Sequence, residues 1–284
     1  MLQRIGQICL QIMVVIVCTF SPASVSAEEK TWTVAFSQQI NVWIKELSTA
    51  DHQFDDWKGA KTSVQTLGPN SMQWLVTLSA RDKQVGYMVV AEEKQRKEQQ
   101  SPQFVLMEYG LGEFVLFNDT IAPRQKGALP IYDGFASYWK FDQNGLPQYV
   151  DAKTGEHYPS MFQPDKGIME TLSQEDLALA GFPLTKTSTL QQVETDPFDT
   201  IDWMQAQPIK TTETTPALWE HFANTTTKKS FVVTASLFQD EVLAPFTVGS
   251  VHVWGDKTLY IGVWDEGLRY LPSAYITKVG KIVQ

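Results

Sequence analysis

Two kinds of side chain in this sequence carry chemistry that moves protons or holds ions: four histidines and a set of carboxylates on tight turns. The histidines are His52, His157, His221 and His252. None stands in an H-x-x-x-H or H-x-H arrangement, the spacings that put two imidazoles on one face of a helix or strand, so no local zinc site is expected. His252 alternates with Val251 and Val253. That period places it on a strand, where it is a candidate catalytic base. The plainer reading is a structural histidine. Asp256, Asp265 and Glu266 lie on consecutive turns of a strand-rich segment. Two carboxyls brought within several ångströms of each other are the working parts of a glycosidase, which makes these three the candidate acid and base. The plainer reading is that turns recruit Asp because its side chain bonds its own backbone.

Other chemistries lack their residues. No G-x-S-x-G or S-x-x-K motif is present, nor a G-x-x-x-x-G-K-[ST] or G-x-G-x-x-G loop. Gly110-Leu111-Gly112 precedes no helix and reads as a turn between strands rather than a cofactor cradle. Asp142-Gln143-Asn144-Gly145 opens like a calcium loop but lacks the alternating ligands and the terminal Glu. No cofactor and no metal are expected. Trp139, Trp254 and Trp264 sit on predicted strands near turns, where they serve either as core or as a platform for glycans or peptides.

The two cysteines, Cys9 and Cys18, both fall in the first 27 residues. Arg4, the apolar run from Ile8 to Phe20, and the small residues ending Val25-Ser26-Ala27 have the order of a secretory signal cut after Ala27. The run is too short to cross a bilayer core. A retained anchor and a lipid-modified Cys18 are the alternatives. Val17 fits the second poorly. The expected mature chain has no thiol, hence no disulfide framework, no thiolate metal site and no cysteine nucleophile. Export without disulfides suggests a Gram-positive source.

The whole chain has 284 residues, 23 basic against 32 acidic, for a net charge of −9. That balance opposes a nucleic-acid binder or a protein held on anionic membranes, both of which need a basic face. The hydrophobic share of 43% supplies a core, and the charged share of 19% is too low for a broadly disordered chain.

The elements that must position the candidates read as an α+β chain. Residues 33–48 form a helix with Phe36, Ile40, Trp43, Ile44 and Leu47 on one stripe. From about 60 to 117 short runs rich in Val, Leu and aromatics predict five strands: KTSVQTL, MQWLVTLSA, VGYMVVAEE, QFVLMEYG and EFVLFN. A polar loop lies at 92–102. A strand pair at 135–158 turns at Asn144-Gly145, which tolerates positive φ. A capping-box arrangement at Ser173 predicts a short helix over 174–180, ended by Gly181. KTSTLQQVETDP is a polar linker. Thr215-Pro216 starts a helix with Leu218, Trp219 and Phe222 on its buried face. SFVVTASLF, FTVGSVHVW, TLYIGVW and LRYLP then form an antiparallel meander. The expected organisation is therefore a signal at 1–27, an N-terminal lobe of helix plus antiparallel sheet at 28–160, a connecting segment at 161–208, and a C-terminal lobe of one helix and a meander at 209–284. Whether the two lobes pack as one domain stays open.

Three stretches resemble known families. Gly86-Tyr87-Met88-Val89-Val90-Ala91 followed by Phe104 to Gly110 resembles the strand pair of streptopain-type prosegments and inhibitors. Tyr149-Val150-Asp151-Ala152-Lys153-Thr154-Gly155-Glu156 resembles the strand-turn that ends PepSY modules. The C-terminal lobe, a helix then strands with one strand histidine, is similar to half of a papain-like or C39-type peptidase that lacks its cysteine. Such a lobe implies no peptidase activity, and no catalytic residue carries over. The prosegment resemblance, together with the signal, implies a secreted, non-catalytic binding or regulatory protein of the cell envelope, acting on a peptidase or a wall component. A carboxylate-dependent hydrolase of wall glycan or peptide, and a structural surface protein, are the alternatives.

Overall fold

The computed structural model describes residues 27–68, 72–93, 102–118, 120–121, 127–158, 167–191, 193–199, 201–209, 215–224, 230–238 and 240–284. The expected signal with Cys9 and Cys18 lies outside the described residues, as does most of the polar loop at 92–102.

Helix α1 (Ala27–Ala50) leads into a 3-10 turn, His52–Trp57. Strands β1 (Lys61–Thr66), β2 (Gln73–Ala80), β3 (Lys83–Glu92) and β4 (Phe104–Leu111) follow. A small three-stranded sheet holds β5 (Leu129–Ile131), β6 (Tyr138–Gln143) and β7 (Leu146–Asp151). Next come β8 (Ala178–Leu179), β9 (Leu184–Thr189) and helix α2 (Thr215–Ala223). The chain closes with β10 (Val232–Leu237), β11 (Val242–Trp254), β12 (Thr258–Trp264), β13 (Leu268–Pro272), helix α3 (Ser273–Val279) and β14 (Gly280–Val283).

The mixed α+β class holds, and the large sheet crosses the expected lobe boundary. Its strand order is β1-β2-β3-β4-β13-β12-β11-β10-β14, with β8 beside β4 and β9 beside β11. The seam is β4 against β13, where Leu111, Gly110 and Tyr109 face Leu268, Arg269 and Tyr270. Every pairing in it is antiparallel, and its central strands are buried on both faces. Tyr87 and Val89 of β3 point into one core, and Met88 and Val90 into the other. That alternation is the two-residue period of a strand.

Helix α1 covers one face. Phe36, Ile40, Trp43 and Leu47 are buried, Ile44 is half-buried, and the helix runs longer than the predicted 33–48. Trp32 meets Trp74 of β2 with ring centroids 4.9 Å apart, which ties the start of the helix to the sheet. The opposite face packs on α2 through Leu218 and Phe222 and on α3 through Tyr275, Ile276 and Val279.

Four sequence expectations need correction. Residues 113–118 form no strand, because Phe117 takes φ 61°, outside the extended region. The expected helix at 174–180 is a 3-10 turn, Gln174–Asp176, closed by Ser173 N–H donating to Asp176 Oδ2 at 2.8 Å. Ala178 then pairs with β4 and donates its N–H to Tyr260. The polar "linker" begins as β9, whose Thr187, Ser188 and Thr189 pair with His252, Val251 and Ser250. Both faces of β9 stay largely open to solvent, so it shows no apolar alternation to read. Gly110 is a strand residue, not a turn. A Cβ there would meet the Tyr87 ring at 2.6 Å, so the bare backbone is what lets that ring lie across the strand. Helix α3 and β14 had no counterpart in the sequence reading.

Candidate functional site

His252 sits on β11 and is 0% exposed. Its Nε2 lies 3.0 Å from Asp51 Oδ2, and its Nδ1 lies 2.8 Å from the Tyr109 hydroxyl. Trp254 Nε1–H donates to that hydroxyl oxygen at 3.2 Å. Burial pulls the His252 pKa below its ordinary value despite Asp51, so the ring is neutral. One proton pattern then satisfies every atom: Tyr109 donates to Nδ1, and Nε2–H donates to Asp51. Burial alone would raise Asp51. The bonds from His252 and from the Gln53 backbone outweigh it and hold the carboxyl below the ordinary range. Asp51 also caps the 3-10 turn by accepting from Gln53 N–H at 2.9 Å. The chain thus bolts the end of α1 to the sheet, sealed from solvent.

The carboxylates on the turns separate. An antiparallel meander puts consecutive turns at opposite ends of the strand between them. Asp256 precedes β12 and Asp265 follows it, so about 23 Å of strand lies between their turns at about 3.3 Å per residue. Those two carboxyls do not form a pair. Asp256 is exposed at φ 56°, a turn position. Glu266 is exposed beside Asp265, and its Oε1 lies 3.1 Å from Lys153 Nζ.

Asp265 belongs instead to a buried ion network that no sequence motif announced. Arg269 on β13 is 2% exposed. Its Nε and Nη2 donate to the two oxygens of Glu108 at 2.9 and 3.2 Å, a bidentate grip, and Nη1 donates to Asp265. Tyr87 and Tyr132 hydroxyls each donate to Glu108 at 2.6 Å. The guanidinium carbon lies 5.4 Å from the centre of the Phe135 ring. Lys153, on the turn after β7, donates to Asp265 from the side. A bulge in β4 makes this possible. Val89 pairs with Glu108 but Val90 with Leu106, so Met107 is the extra residue and Glu108 turns to the same face as Met107. Burial would raise Asp265. Arg269 and Lys153 outweigh it and keep the carboxyl below the ordinary range. Burial would lower Arg269. Glu108 and Asp265 hold it well above.

The network forms one end of an open cavity of about 330 Å³ between the small sheet and the β10–β11 hairpin. Lys153, Asp265 and Arg269 line it at the charged end, and Leu116, Leu237, Ala244 and Phe246 form apolar wall. Asp151 is fastened locally. Its Oδ1 accepts from Lys153 and Thr154 N–H at 2.8 and 2.7 Å, and its Oδ2 accepts from the Tyr158 hydroxyl at 3.0 Å. His157 is exposed at the cavity, while His52 and His221 are exposed elsewhere. Trp139 is in the core of the small sheet, Trp254 is fully buried, and Trp264 is half-buried. Asp142 caps its own turn by accepting from Gly145 N–H at 2.9 Å. Among the described residues, no group of three or more His, Asp or Glu side chains gathers as a metal site.

A third buried carboxyl, Asp133, accepts the Met169 N–H at 2.7 Å and so anchors the 167–171 segment. Burial pushes its pKa up to about 6 from 3.8. The folded chain therefore holds a proton between those values that the unfolded chain has released, and stability falls as pH rises through that window. His252 acts in the opposite sense. Its lowered pKa contributes stability that is present above 6.5 and lost as pH falls. Comparison with Asp133→Asn cancels that background. Between pH 4 and pH 7 the wild type is expected to lose up to about 3 kcal/mol relative to the variant. Urea denaturation at four pH values measures this, and parallel stability curves would refute it.

No family model, curated protein or solved structure matches this chain.

Proposed function

We propose that this is an exported, non-catalytic binding or regulatory protein of a Gram-positive cell envelope, acting on a wall component or an envelope peptidase. The observation that carries the reading is the static charge at the inner end of the cavity, where Asp265 meets Arg269. Acid–base catalysis needs a group that gains and loses a proton near the working pH. Asp265 is held ionised by two cations, and Arg269 is held protonated by two carboxylates. Groups fixed in this way orient and select a ligand more readily than they transfer protons. The signal-like first 27 residues and the thiol-free remainder support the location. The hydrolase reading keeps one observation, the Asp265 carboxylate on the cavity wall.

The test incubates purified residues 28–284 with insoluble Gram-positive cell wall. The expected result is saturable retention on the wall without release of reducing ends or free amines. Release that grows with time and protein concentration would establish the hydrolase instead, with Asp265 the first residue to replace.

A further inference from the structure

The cavity is more specific than a generic cleft, and resting on the binding reading above, we infer that it takes an amphipathic cation: an apolar body carrying an ammonium or guanidinium head. Its volume of about 330 Å³ falls at the small end of ligand sites, which suits one small apolar body. Phe135 and Phe246 stack with centroids 4.4 Å apart and planes 9° apart, and Tyr158 meets Phe238 at 3.9 Å. Four aromatic rings therefore border the space and give it apolar wall for the body of the ligand.

Charge decides the head group. Asp151, Glu156 and Asp265 line the cavity, and Glu108 and Glu266 hold its cations from behind. Against these five carboxyls stand Lys153 and Arg269, with the imidazole of His157 also on the lining. Both cations already have carboxylate partners. An anionic head would enter a surplus of negative charge, and to reach Arg269 it would have to displace Glu108 or Asp265 from a buried pair. A cationic head needs no displacement, since Glu156 stands exposed at the mouth.

The test is calorimetric titration of residues 28–284 with octylammonium, octanoate and octyl glucoside below their micelle concentrations, and with the peptide acetyl-Lys-Phe-Lys-amide. Octylammonium is expected to bind about five- to thirty-fold tighter than octanoate, the span produced by reversing one partly exposed charge against a fixed rim. Glu156→Lys is expected to shrink that preference to about threefold or less. Ala244→Trp fills the space and is expected to abolish binding. Should that variant fail to fold, Val242→Trp, at an exposed position on the same wall, serves instead. Tighter binding of the peptide than of octylammonium assigns a cationic polypeptide as the source, and the reverse assigns a free amphiphile. Octanoate binding as tightly as octylammonium, titration by none of the probes, or binding indifferent to the tryptophan substitution would overturn the inference. Each of those results would leave wall retention and the absence of turnover unaffected, so the broader reading fails or survives separately.

Discussion

Arg269→Met is expected to lower the free energy of unfolding by about 3–5 kcal/mol, the cost of removing one partner from a buried ion pair. The reason lies in what stays behind. Glu108 is 0% exposed and Asp265 is 8% exposed, so neither recovers from water what the guanidinium supplied. Tyr87 and Tyr132 still donate to Glu108, but two neutral hydroxyls do not neutralise a carboxylate. Lys153 still reaches Asp265, which keeps that end partly compensated. Methionine retains most of the volume, so the loss reports charge and hydrogen bonding rather than a cavity. A double variant, Glu108→Gln with Arg269→Met, removes the stranded charge and is expected to be more stable than the sum of the two single losses predicts. Urea denaturation of the four proteins gives the coupling. A single-variant loss below about 1 kcal/mol, or strict additivity, would mean that the network contributes little to stability.

Trp43→Ala is expected to cost about 3–5 kcal/mol, the usual price of truncating a large buried aromatic. Trp43 is 0% exposed in the middle of the α1 stripe, in the same core cluster as Phe54, Met88 and Trp254. Its indole N–H meets no acceptor among the described residues. The ring is therefore held by packing, and Trp43→Phe is expected to cost much less, about 1.5 kcal/mol or below. Guanidinium denaturation distinguishes the cases. Equal losses for Ala and Phe would mean the N–H has a bonded partner. A loss below about 1 kcal/mol for Ala would mean the helix packs only loosely on the sheet.

Elements with strong periodicity were readable from residues alone. The stripe on α1, the strand runs of β2, β3 and β12, and the Thr215-Pro216 start of α2 each satisfy a local rule that tertiary contacts reinforce. The Asn144-Gly145 turn was equally plain, with φ of 57° and 82°. Elements that depend on a distant partner were not. Strand β9 is polar and exists because β11 offers it an edge. The 174–176 turn stops short of a helix because Ala178 finds β4. Residues 113–118 are apolar enough for a strand, but a positive φ at Phe117 breaks the extension.

The candidate site divides in the same way. Asp265 and Glu266 were singled out from their turn, but the partner assigned to them, Asp256, lies at the far end of β12. His252 was placed correctly on its strand, while its burial and its bonds to Asp51 and Tyr109 depend on residues more than 140 positions away.

By itself, the sequence determined the α+β class, the acidic charge, the confinement of both cysteines to the first 27 residues, and the lack of the common nucleophile and phosphate motifs. These follow from composition and short-range period, which a chain carries whether folded or not. Only the tertiary structure decided that one sheet joins the expected lobes, that Glu108 meets Arg269 across 161 residues, and that a cavity opens beside them. The physical reason is that strand pairing is set by backbone bonds whose partners have no local signature. A single bulge at Met107 then chooses which face receives the carboxylate, and with it where the buried charge lies.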